Sequence, residues 1–230
     1  MLIYSQETVD FLWQLRLNNS REWFHEHKEA FERLMNRPTK DLANALFEHF
    51  REKYPKHDWN LHVSRIYRDA RRLYGRGPMN DHLWFTLWAD LEEMAAPAFY
   101  FSFTPEYYEY GMGCWSRGNV LMDRFRAELR RDPARAEKLV RKFRRQSTFV
   151  LSGEKYKKHK LETTPLLQDW ADRKYLGFEF RREQDEICYS DRLFPAVRDG
   201  FDALMPYYEY FLTLPALEES VGAEPIRDPK

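Results

Sequence analysis

The densest chemistry in this sequence is a run of guanidinium groups. Arg65, Arg68, Arg71 and Arg72 lie within Arg65-Ile66-Tyr67-Arg68-Asp69-Ala70-Arg71-Arg72, and Arg76 follows in Leu73-Tyr74-Gly75-Arg76-Gly77-Pro78-Met79-Asn80. The run LHVSRIYRD (61–69) predicts a strand, because β-branched and aromatic residues alternate there with polar ones. Alternation sends Arg65, Tyr67, Asp69 and Arg71 to one face and Ile66, Arg68, Ala70 and Arg72 to the other. A sheet covered by helices desolvates at least one face, and a buried charge left unpaired is heavily penalised. Each sheltered arginine therefore needs a carboxylate, a backbone carbonyl or an anionic ligand. The planar fork of arginine matches phosphate and carboxylate through two parallel hydrogen bonds. Gly75 and Gly77 add backbone N–H donors nearby. The expectation is an anion pocket on Arg65, Arg68, Arg71 and Arg76, with Asp69 and Tyr67 orienting the ligand or moving a proton. The competing reading is an intramolecular ion-pair network with Asp69, Glu22 or Glu26, since structural pairs gather charge as functional sites do.

Other constellations are weaker. In SREWFHEHKEAF, Glu22 and His25 have the i, i+3 spacing of di-iron bundles, but no second such pair accompanies them. No metal site is assigned and no cofactor is called for. His27 falls on the apolar side and is expected to be a hydrogen-bonded core histidine. Between 135 and 160, ten Lys and Arg residues face only Glu137 and Glu154, with Phe143, Phe149 and Tyr156 interleaved. That composition suits a phosphate-contacting face with stacking residues, centred on Arg141, Lys142, Arg144 and Arg145. It also suits a solvated helix face balanced by the acidic C-terminal part, the commoner meaning of a charge run. The aromatic runs HLWFTLWA and AFYFSFT are read as core strands rather than a ligand pocket. There is no GxSxG elbow, P-loop, GxGxxG or Cys/His metal spacing, which disfavours the familiar serine, cysteine and P-loop chemistries.

The elements that must position these residues follow from spacing and punctuation. Val9, Phe11, Leu12 and Leu15 predict a helix over 8–18, stopped at Asn18-Asn19. Ser20 caps a second, 21–34, and Pro38 opens a third that ends near Tyr54-Pro55. Strands are predicted at 61–69, 82–89 and 98–104, with EYYEYGMGCW continuing the sheet and Gly111 and Gly113 marking a bulge or a close backbone approach. Helices return at 119–131, from Asp132-Pro133 to about 146, and from Thr164-Pro165 to about 174. TFVLSG is extended, FEFRRE is a last strand or an extended loop, and 191–212 is a helix bent or broken at Pro206.

Helices, then strands, then helices is the order of an α+β domain, with a central, mostly antiparallel, aromatic-rich sheet carrying N- and C-terminal helices. No linker divides the chain, so residues 1–214 read as one domain and 215–230 as a flexible tail. Aromatic residues make up 17% of the sequence, which supplies a large core, and 37 basic residues balance 37 acidic ones. Balance argues against a general nucleic-acid or membrane-surface protein. Two cysteines without CxxC spacing, a start lacking a secretory signal and the absence of a long apolar run together suggest a cytoplasmic protein.

Three stretches carry a family resemblance: FLWQLRLNNSREWFHEHKEAFERL, RIYRDARR, and YEYGMG with the helices after it. Together they resemble an uncharacterised, mostly bacterial family, domain of unknown function 2461, over nearly the whole chain. The most specific pieces are Asn19 to Phe24 with Lys28, and Arg65 to Arg71. After the latter, members typically carry Arg-Phe, Asp-Lys and Pro-Tyr-Lys, whereas this chain has Arg72-Leu73, Gly75-Arg76 and Pro78-Met79-Asn80. The resemblance implies one domain and points at these residues; it implies no reaction. The favoured function is a small-anion-binding domain, with an enzyme acting on a phosphorylated or carboxylated metabolite as one form it could take. The alternative is a non-enzymatic interaction module using the basic 135–160 surface.

Overall fold

A computed structural model describes residues 4–69, 71, 73, 75–90, 97–115 and 120–214. The expected tail 215–230, the Asp90–Pro97 connection over 91–96, the helix start at Asn119, and Ala70 and Arg72 lie outside the described residues.

Six antiparallel strands form one sheet in the order β1-β2-β3-β4-β6-β5: β1 Trp59–Val63, β2 Leu83–Ala89, β3 Ala98–Phe103, β4 Tyr108–Gly113, β5 Val150–Ser152 and β6 Gly177–Arg182. β1 to β4 form a meander, and β6 returns to pair with β4. This is the α+β architecture the sequence predicts. Along β2, Leu83, Phe85, Leu87 and Ala89 are buried while Trp84, Thr86 and Trp88 are half-buried, so one face forms the core. Phe99, Phe101 and Phe103 of β3 project to the same side. Gly111 allows a close approach between strands: a Cβ there would sit 1.9 Å from the carbonyl oxygen of Phe178.

The N- and C-terminal helices meet over that face. α1 is Gln6–Leu17, α2 Arg21–Glu26, α3 Lys28–Phe31 and α4 Arg37–Lys53; α5 is Val120–Arg131, α6 Ala134–Phe143, α7 Gln168–Ala171 and α8 Leu193–Leu212. Phe50 of α4 and Phe201 of α8 both pack on Phe99, at ring-centroid distances of 5.1 and 5.0 Å. Tyr4 stacks on Phe103 at 4.1 Å, closing the same layer beside α1. Asp202 binds the helices together, accepting from His49, Lys53 and Tyr54 of the α4 end.

Several elements differ from the sequence expectation. The second and third helices are one continuous path from Lys28 to Lys53 through a π-helical turn, Glu32–Asn36, in which the Arg37 N–H reaches Glu32 O. Pro38 offers no N–H to the Leu34 carbonyl one turn back. The Thr8 hydroxyl donates to that carbonyl at 3.1 Å, while accepting from the Ser5 N–H. The helix expected through 174 shrinks to the four residues of α7. α8 is not broken at Pro206. His27 is half-buried, with its Nδ1 2.8 Å from Trp23 O and its ring stacked on Trp23 at 3.9 Å.

Candidate functional site

The arginine segment does not continue β1. The last ladder contacts are Ser64 N–H to Trp84 O and Trp84 N–H to Ser64 Oγ. The chain then leaves the sheet and runs beside residues 78–80: Arg68 N–H donates to Pro78 O, Asn80 N–H donates to Ile66 O, and Tyr67 bridges Met79. This ribbon keeps the predicted alternation in part. Ile66 is buried and Arg68 half-buried, while Arg65 and Tyr67 are exposed.

The ribbon is fixed from 60 residues away. Asn19, in the turn before α2, accepts from the Met79 N–H and donates to the Met79 carbonyl, each at 2.9 Å, so its side-chain amide imitates a strand partner. Arg68 Nε donates to the same carbonyl at 2.8 Å. Ser20 caps α2 by accepting from the Trp23 N–H. α2 then presents Phe24, whose ring meets Tyr67 edge-on at 5.5 Å. Gly77 lies directly under Asn19, where a Cβ would fall 2.3 Å from Asn19 Cγ. Asp81 anchors the far end: Arg16 Nε reaches it at 2.5 Å, His82 Nδ1 at 3.0 Å and the Arg68 guanidinium at 3.9 Å. The His82 hydrogen bond and then the Arg16 guanidinium hold the Asp81 carboxyl far below its ordinary range, against the opposing effect of burial. Arg16 also pairs with Glu106.

An open cleft of about 770 Å³ results. Its floor is the outer face of the sheet, His62, Ser64 and Trp84, and its walls are Arg65, Tyr67, Arg68, Asp69, Arg76 and Asn80. Of the residues predicted from sequence, Arg65, Arg68, Arg76, Tyr67 and Asp69 thus come together. Arg71 is not among the lining residues; its exposed guanidinium is turned back onto Asp69 at 2.8 Å. Arg68 is set by Met79 O and Asp81. Arg65 and Arg76 make no side-chain hydrogen bond or ion pair among the described residues. Buried Arg126 is the contrast, because it is satisfied within the chain by the carbonyls of Ala171 and Arg173 and by Asp123. His62, Ser64 and Asn80 carry no local signal, and Trp84, expected in the core with its strand, is half-buried and lines the cleft instead; the β1–β2 register and the ribbon pairing bring them in.

The basic 135–160 segment divides in two. Arg141 pairs with Glu137 on α6, and Phe143 and Phe149 are buried in the core, so they cannot stack on bases. Tyr156 is half-buried, with Arg126, Lys160 and Lys174 around its ring.

A family model described as conserved hypothetical protein (DUF2461) matches residues 7–210. The chain belongs to this family. The DUF2461 match takes in both α1–α4, with the Asn19 turn, and the whole arginine cleft, and the family description assigns no activity. No curated protein matches the chain. Among the described residues, no helix is long and apolar enough to cross a membrane.

Proposed function

We propose that this DUF2461 member binds a small anion, the phosphate or carboxylate group of a metabolite, in the cleft between the ribbon and the outer sheet face. The observation that carries the reading is the pair Arg65 and Arg76. Both line one opening without a side-chain partner among the described residues, beside Arg68, which is already fixed. A guanidinium held at a concave surface retains its capacity for two parallel hydrogen bonds to an oxyanion. With Arg68 near Asp81 and Arg71 paired to Asp69, Arg65 and Arg76 leave the cleft locally positive in a chain of zero net charge. Trp84 and His62, with rings 5.3 Å apart and tilted by 38°, offer ring faces for the body of the ligand. As an enzyme the protein would act on that metabolite, with the Tyr67 hydroxyl and Asp69 orienting it or moving a proton.

The test is thermal unfolding of the full chain against rising phosphate or sulfate at constant ionic strength. Wild type is expected to gain stability with anion concentration, and Arg65→Ala and Arg76→Ala to lose that gain. Equal gains in wild type and both variants would overturn the site.

A further inference from the structure

A second recess lies away from the arginine cleft, where the chain leaving α4 meets α6 and α8. It measures about 440 Å³, and Lys56, His57, Arg135, Lys138, Glu209 and Tyr210 line it. His57 Nδ1 is 2.5 Å from Asp90 Oδ2, and the other Asp90 oxygen accepts from the Asp58 N–H at 2.8 Å. Asp90 adopts φ +63°, the left-handed conformation, to present its carboxylate this way. With Nδ1–H donating to Asp90, a neutral imidazole keeps its lone pair on Nε2. That atom is buried and has no hydrogen-bond partner among the described residues, on a side chain only 10% exposed. The Tyr210 hydroxyl is buried and unpartnered in the same sense.

Two orphaned buried polar atoms at one recess are unusual in a folded protein, where such groups are nearly always satisfied. The charges at the recess point the same way. Arg135 and Lys138, at i and i+3, share a face of α6, and neither has a carboxylate partner among the described residues. Lys56 is held by Glu209 at 2.6 Å, and Glu209 Oε1 lies 3.9 Å from His57 Nε2. A solvent-exposed ion pair therefore stands 3.9 Å from His57 Nε2, and its opening costs little.

We infer that this recess is a second ligand site, for a small anion that also carries a hydroxyl group. The anionic group replaces the Glu209 carboxylate against Lys56 and is held by Arg135 and Lys138. The hydroxyl donates to His57 Nε2, and the Tyr210 hydroxyl donates to the ligand. Asp90 fixes the ring so that Nε2 faces the ligand as an acceptor.

D-glycerate and propionate, which differ in their hydroxyl groups, are suitable probes for the full chain. Because a carboxylate also suits the arginine cleft, affinity at the recess is read from the imidazole nitrogen resonances of His57, which locate the contact. Glycerate is expected to shift Nε2 saturably and to bind at least about tenfold tighter than propionate, the scale of one well-made hydrogen bond to a buried group. Tyr210→Phe removes a hydroxyl that makes no hydrogen bond among the described residues, and Lys138→Ala alters an exposed side chain. Both should fold, and each should weaken glycerate by about tenfold. Glu209→Gln removes the competing carboxylate and should tighten binding. Equal binding of the two probes, an unmoved His57 resonance, or wild-type affinity in both Tyr210→Phe and Lys138→Ala would overturn the assignment.

Discussion

Asn19 and Gly77 show how one side chain sets the geometry of a site it never enters. Asn19 completes both hydrogen-bonding groups of Met79, and Gly77 leaves the space that lets it do so. Asn19→Ala leaves the Met79 N–H without its partner, at a cost of about 2 kcal/mol. Gly77→Ala should destabilise by a similar amount, because its Cβ displaces an amide that is tethered at both ends. The two losses have one cause, so the double variant should fall well short of their sum in urea unfolding. Additive losses would show that Gly77 acts through something other than Asn19. Asp81 makes a separate prediction with pH. Its carboxyl is depressed from an ordinary 3.8 by His82 and Arg16, so the stability it supplies is fully present above that value and is lost as pH falls below it. Asp81→Asn should be less stable than wild type at neutral pH and should lose less on acidification, the two unfolding curves converging in acid. Parallel curves would remove Asp81 from the acid response.

At the scale of elements, the π-helical turn is a consequence of Pro38, and Thr8 of α1 is what makes it tolerable. Thr8→Val keeps the shape but strips Leu34 O of a donor, and should cost about 2 kcal/mol in urea unfolding. Pro38→Ala restores an N–H in the same place. It should recover part of that loss in the Thr8→Val background and recover nothing when Thr8 is present. A Pro38→Ala variant with the same effect in both backgrounds would separate the two residues. The same junction is where local spacing ceases to predict the structure. Leu42, Leu46 and Phe50 betray α4 by their spacing, and Ser20 caps α2 as its type demands. The aromatic strands are equally visible, because β2 alternates cleanly against a helix-covered core. Nothing local says that α3 runs on into α4, since the carbonyl that Pro38 deprives is served by a residue 26 positions away. The cleft divides along the same line. The arginines stand out by type, and Ile66 and Arg68 turn inward as alternation requires. The departure of 65–69 from the sheet depends on pairing with 78–80 and on Asn19, long-range terms that residue spacing does not encode. Parity groups Arg71 with its neighbours, yet a carboxylate two residues away takes its guanidinium.

For the whole molecule, the core cluster extends from Tyr4 to Leu214 and includes both cysteines, which makes the thiols reporters of the fold. Cys114 and Cys188 are free and fully buried; burial raises the Cys114 thiol far above its ordinary value and pushes Cys188 up to about 11. Only the thiolate attacks a disulfide reagent, so in the native protein at neutral pH both cysteines should label slowly, and both should label at once in denaturant. Prompt reaction of either thiol while circular dichroism remains native would contradict the packing. The reaction also reads ligand binding. Where reclosing outruns labelling, the rate follows the open population, and an anion that binds only the folded chain lowers that population by the factor 1 + [L]/Kd. Phosphate at about 100 times its Kd should therefore slow labelling of both thiols about a hundredfold. Neither cysteine lines the arginine cleft, so direct occlusion cannot imitate the effect. The slowing should vanish in Arg65→Ala. Slowing that persists undiminished in that variant would mean that phosphate stabilises the chain from some other place, which in a protein of balanced charge calls for another local cluster of cations.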